Sequence, residues 1–104
     1  MSERIKQLAQ FIGEDPHDPF NHYPLGLEYI NIDTARALTI FKSIVKSNVE
    51  YLPVYYQLGK LYQQLGEKAY AAETFNTGIA LARNKNELKT LRELNAALEE
   101  LNDD

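Results

Sequence analysis

The sequence predicts an all-α fold of about six helices, and three observations carry that expectation. Apolar residues recur at the i, i+3, i+4 spacing of a helix along nearly the whole chain. No stretch with strand-like alternation is left over. One helix pair is echoed 33 to 34 residues further on. A helix pair with one apolar stripe must cover that stripe, so a duplicated pair implies helices layered on helices.

The elements follow in order. Ile5, Leu8, Ala9 and Ile12 form the stripe of a first helix over 2–12, ended by "GEDPHDP" at 13–19. Leu25, Tyr29 and Ile32 mark a second helix, and Ala37, Leu38, Phe41, Ile44 and Val45 a third; together they make a first pair over 20–48. Asp33 is the expected N-cap of the third helix, because its short carboxylate can accept from a free first-turn N–H. Pro24 would delete an internal hydrogen bond if the second helix began at Pro19, so a start with Asn21 as N-cap is expected. Leu58, Leu61, Tyr62 and Leu65 form a fourth helix, with Pro53 in its first turn, and Ala71, Ala72, Phe75 and Ile79 a fifth; this second pair spans 53–83. After "RNKN", Leu88, Leu91, Leu94, Leu98 and Leu101 make a sixth over 86–102.

Composition fits one domain over 1–104. A chain of 104 residues with 44% hydrophobic and 25% charged residues is ordinary for a globular protein, and at this length about 65% of the unfolded surface can be buried. Zero cysteines exclude disulfides and thiolate metal sites and fit the cytoplasm. The opening "MSERIKQLAQFIGEDP" has no apolar run of signal-peptide length, and no stretch approaches the ~18 apolar residues of a span, so neither export nor membrane insertion is expected. A net charge of −4 and 11 scattered basic residues argue against nucleic acid as partner.

The repeat is specific in its residues. "YPLGLEYINI" at 23–32 lies over "YYQLGKLYQQL" with Tyr23 on Tyr56, Leu25 on Leu58, Gly26 on Gly59 and Tyr29 on Tyr62, all 33 apart. Beyond the turn the offset is 34, matching Ala37 to Ala71 and Phe41 to Phe75, with Gly66 as the inserted residue. These positions resemble the signature of the tetratricopeptide repeat family: an aromatic, Leu-Gly and Tyr in the first helix, then Ala, Phe and a small residue in the second. The second pair supplies Tyr55, Leu58, Gly59, Tyr62, Ala71, Phe75 and Gly78; in the first, His22 replaces the aromatic and Ile44 the small residue. The resemblance implies antiparallel helix pairs stacked as a short right-handed α-solenoid, with 2–12 as half a preceding unit and 86–102 as a cap. A mid-helix glycine costs about 1 kcal/mol relative to alanine. Gly26 and Gly59 are therefore expected where each first helix must approach the helix carrying Ala37 or Ala71.

The resemblance also implies partners: a protein or peptide held in the concave groove of the leading helices. Carried onto this chain, the groove positions are Phe20, Tyr23, Leu27 and Ile30, then Tyr56, Lys60, Gln63 and Gln64. Tyr23 and Tyr56 could equally pack under the end helices. Members that grip a carboxyl terminus use several basic side chains there, whereas only Lys60 is basic here. An apolar or aromatic segment with one acidic group is the expected ligand. His17 and His22 with Asp15 and Asp18 raise a metal site, but the two histidines are five apart across Pro19, not four apart on one helix face. The stretch reads as a polar linker, and no metal or cofactor is expected. No nucleophile-base spacing, phosphate loop or paired-carboxylate motif is visible, so an enzyme is not expected. The alternative is structural: self-association into a homo-oligomer through the leucine-rich end helices, although their heptad spacing is too short for an independent coiled coil.

Overall fold

The structure, a computed structural model, describes residues 3–14 and 18–103, with the backbone alone for Phe11 and Glu14. All six expected helices are present: α1 (Glu3–Glu14), α2 (Pro19–Tyr29), α3 (Thr34–Ser47), α4 (Pro53–Gln64), α5 (Lys68–Asn84) and α6 (Leu88–Asn102). There is no strand among the described residues. The chain divides into two compact units, Met1–Tyr51 and Leu52–Asp104.

In the first unit α2 packs against both α1 and α3. Its core is Ile5 and Leu8 from α1, Tyr29 from α2, and Ala37, Phe41 and Ile44 from α3, all buried and all on the stripes that the sequence marks. The starts of α2 and α3 are set by short carboxylates. Asp18 accepts from the N–H of Phe20 at 2.9 Å, and Asp33, as expected, from that of Arg36 at 3.1 Å. The Asp18 cap corrects the expected start at Asn21: Pro19, with its fixed φ, takes the first helical position, and the helix runs through Pro24. The Phe20 carbonyl consequently lacks the helical donor that residue 24 would have supplied. Two start signals compete in "DPFN", and the aspartate-proline pair prevails.

In the second unit α5 packs against α4 and α6, and α4 also reaches α6. Leu52, Ala71, Phe75, Ile79, Ala82, Leu94, Ala97 and Leu101 form one buried cluster. Neither α4, α5 nor α6 has a side-chain N-cap, and Pro53 opens α4 as expected. The order lies instead at the helix ends. Gly66 has φ of 79°, its N–H bonds to the Gln63 carbonyl at 3.1 Å, and Glu67 N–H reaches back to Tyr62 at 2.8 Å. Asn86 repeats the arrangement with φ of 57°, bonding Arg83 at 3.1 Å while Glu87 reaches Ala82 at 2.9 Å. Both ends are Schellman motifs, in which one left-handed residue turns the chain and satisfies the last carbonyls. Three-residue links then return the chain, so α4, α5 and α6 alternate in direction.

Candidate functional site

The crossing glycines are the pivot of each repeat. A Cβ built on Gly26 would overlap the ring of Phe41, and one on Gly59 the ring of Phe75. Both rings are fully buried. The partner helices are those expected, α3 and α5, but the contact falls on the phenylalanine one turn beyond Ala37 or Ala71. A side chain at either glycine would have to displace an aromatic ring. Gly78 serves a second approach: its Cβ would lie 2.8 Å from that of Tyr55 on α4 and 3.0 Å from Leu94 on α6. Of the signature residues, Tyr29, Ala37, Leu58 and Ala71 are buried, while Leu25 and Tyr62 are half-buried.

With those helices fixed, the positions assigned to a partner groove fall into two patches. On α2, Phe20 is 72% exposed and meets Tyr51 edge-on, ring centroids 5.6 Å apart at 90°. Tyr23 is half-buried, 5.6 Å from Tyr51 and 6.0 Å from Phe41. It thus rests on α3 and on the residue that closes the first unit. Leu27 is 38% exposed and Ile30 half-buried at the helix end. Tyr51, which sequence reasoning treats as part of a break, supports both α2 rings. Burial, and then the nearby Asp18 charge, raise its hydroxyl above the ordinary tyrosine range.

On α4 the side chains are more engaged. Tyr56 packs against the buried cluster shared by α5 and α6. Lys60 donates to Glu100 of α6 at 3.2 Å, an exposed pair that contributes at most about 1 kcal/mol. Gln63 buries an Oε1 that has no hydrogen-bond partner, and Gln64 is exposed. Glu100 had no sequence signal as a partner, since the pair is 40 residues apart and depends on α6 lying beside α4. Of the histidines, His17 lies outside the described residues and His22 is half-buried on α2. Among the described residues no three histidine, aspartate or glutamate side chains converge as metal ligands, and no helix is long and apolar enough to cross a membrane.

Helix pairs that close on a glycine against a phenylalanine, repeated once, define an all-α helical-repeat protein. Comparison with solved structures makes the class specific. The chain is similar to a tetratricopeptide repeat domain protein from Salinibacter ruber, with 36% identity and a TM-score of 0.78 over 82% of this chain and 97% of that one. It shares its fold with the TPR2B domain of yeast Sti1, solved as a complex with pHsp70 (14% identity, TM-score 0.87, 95% and 80% covered). It does so also with the type III secretion translocator chaperone SycD of Yersinia enterocolitica (17% identity, TM-score 0.85, 94% and 69% covered). No protein-family model matches the sequence, and no curated protein does. The identity and coverage of the Salinibacter protein place this chain in the tetratricopeptide repeat family.

Proposed function

We propose that the chain is a non-enzymatic interaction module of the cytoplasm that binds a peptide or helix of another protein, anchored on the α2 face of Phe20, Tyr23, Leu27 and Ile30. The observation that carries this reading is Phe20: a large aromatic 72% exposed yet held edge-on by Tyr51. Such a ring offers apolar contact area at little cost in lost conformational freedom, which is how aromatic anchors dominate interfaces. Tyr23 stiffens the platform through its contacts with Tyr51 and Phe41. The complex of the yeast Sti1 domain with pHsp70 supports a binding role for this fold. In the α4 patch, an acidic group of a partner could take Lys60 only by displacing Glu100, an exchange whose cost is about 1 kcal/mol or less.

Affinity purification from the native host tests the proposal. Partners recovered with the parent should be depleted with Phe20→Ala and with Tyr23→Ala, and weakened with Lys60→Glu. Equal recovery with the two aromatic variants would remove the α2 face as the site. The self-association reading loses part of its motive here, because Leu94 and Leu101 are buried within the second unit and Leu91 and Leu98 pack on the same cluster. Leu88, 55% exposed, is the leucine of α6 left facing water. Light scattering that reports a monomer mass at high concentration would retire it.

A further inference from the structure

We propose that the first unit holds a pocket for a small amphipathic carboxylate, a medium-chain or aryl-alkyl acid, between α1, α2 and α3. The cavity has a volume of about 530 Å³, within the ~300–1,000 Å³ of small-molecule sites. Ile5 and Ala9 of α1, Leu25 of α2 and Ile40 of α3 give it apolar walls. Arg36 and Tyr29 give it one polar end, and Arg36 is the sole charged residue in its lining. Because Leu25 and Tyr29 lie about half a helical turn around α2 from Phe20, Tyr23 and Leu27, the pocket is separate from the proposed interaction face.

The chemistry of the polar end selects the occupant. Arg36 lies over the Tyr29 ring, 5.3 Å from its centroid, and donates one N–H to the Tyr29 hydroxyl at 3.3 Å. A guanidinium carries five N–H donors in a planar fork that suits two carboxylate oxygens, so one bond to Tyr29 fixes the group without exhausting it. The Tyr29 hydroxyl, accepting from Arg36, still has its own proton to donate. The nearest acid in sequence, Asp33, gives a carboxylate oxygen to the Arg36 backbone N–H. Glu28 lies 3.9 Å from Arg4. A fixed cation at the end of an apolar cleft is complementary to an anionic headgroup on an apolar tail. The same register position in the second repeat, 34 residues on, holds Tyr70 against Tyr62 at 5.4 Å, so the cation is particular to the first unit.

Octanoate is the probe, with octanol as the uncharged match, followed by amide shifts in two-dimensional NMR of the whole chain. Octanoate should saturate shifts at Ile5, Ala9, Leu25 and Ile40, and octanol should bind at least tenfold more weakly. Arg36→Gln, at an exposed position, should weaken octanoate about tenfold and leave octanol unchanged. Ala9 of α1 and Thr39 of α3 both line the cleft at exposed positions, so Ala9→Phe and Thr39→Phe should fill it and each abolish binding, while Phe20→Ala should not alter it. The proposal is overturned if octanoate leaves those amides unmoved, if octanol binds as tightly, or if binding survives Arg36→Gln or both filling variants undiminished. Far-UV circular dichroism of each variant verifies that it retains the helical fold.

Discussion

The two repeats of this protein solve one packing problem with different parts. Both close a helix pair by seating a phenylalanine ring on a glycine, Phe41 on Gly26 and Phe75 on Gly59. Around that shared crossing they diverge. The second repeat has Tyr55 opposite Gly78, and the close approach there brings in Leu94 of α6 as well. The first has His22 and a buried Ile44 at the matching positions. The second covers its signature tyrosine with a ring, Tyr70 on Tyr62, and the first with a guanidinium, Arg36 on Tyr29. Turns differ too: Gly66 ends α4 by a left-handed residue, whereas the first turn is closed by Asp33, whose N–H bonds Tyr29 at 2.8 Å and whose carboxylate caps α3. Duplicated helices therefore tolerate change in covering side chains and turns, while the ring-on-glycine contact is kept.

The largest effects should come from emptying the shared crossing. Phe41→Ala and Phe75→Ala each remove a fully buried ring and should cost about 3–5 kcal/mol by urea denaturation. Loss of less than ~2 kcal/mol in one repeat alone would break the equivalence of the two crossings. Filling the gap is the next test. Gly59→Leu and Gly26→Leu should each destabilise by about 1–3 kcal/mol through overpacking, net of any gain in helix propensity. Pairing Gly59→Ala with Phe75→Leu should recover part of the loss of Gly59→Ala, because the substituted ring is what the new methyl meets. Unchanged melting temperatures in the single leucine variants would sink the crossing itself.

Smaller effects sharpen the difference between the turns. Asp33→Ala should cost about 1 kcal/mol, and Glu67→Ala at the matching N-cap close to nothing, because Glu67 makes no capping bond. Gly66→Ala should also cost about 1 kcal/mol, since alanine is strained at positive φ. Equal losses at positions 33 and 67 would refute the assignment of caps.

The smallest effect appears only in alkali. Burial raises the Tyr55 and Tyr62 hydroxyls of the second unit, and that of Tyr51 in the first, above the ordinary 10.0. Each is protonated in the folded chain where the unfolded chain would release the proton. Their contribution to stability is therefore complete below pH 10 and falls as pH rises through the raised values. Melting temperature should decline above pH 10, and less steeply in Tyr62→Phe.

Much of this was legible in the sequence because it is periodic. Six apolar stripes placed six helices, and the Leu-Gly register located both crossings before any contact was known. The start of α2 was not legible, since Asp18 and Asn21 offer equivalent caps and only the folded chain shows which carbonyl goes without a donor. Neither was the identity of the atom each glycine meets: register names the facing helix, but ring rotamers choose between Ala37 and Phe41. Tyr51 and Glu100 escaped for a common reason. Their contacts join residues distant in sequence through the packing of elements, and no local spacing encodes them. The α2 aromatics could be named from the repeat, but not the unequal burial of Phe20 and Tyr23.

Asn86 illustrates a margin within this architecture. It alone among the described non-glycine residues adopts positive φ, where glycine would sit without steric penalty. Replacing it with glycine should raise stability by several tenths of a kcal/mol, up to about 1. The chain thus holds, in a turn of its second unit, an unclaimed increment of robustness against which changes to the aromatic face of α2 could evolve without unfolding the protein.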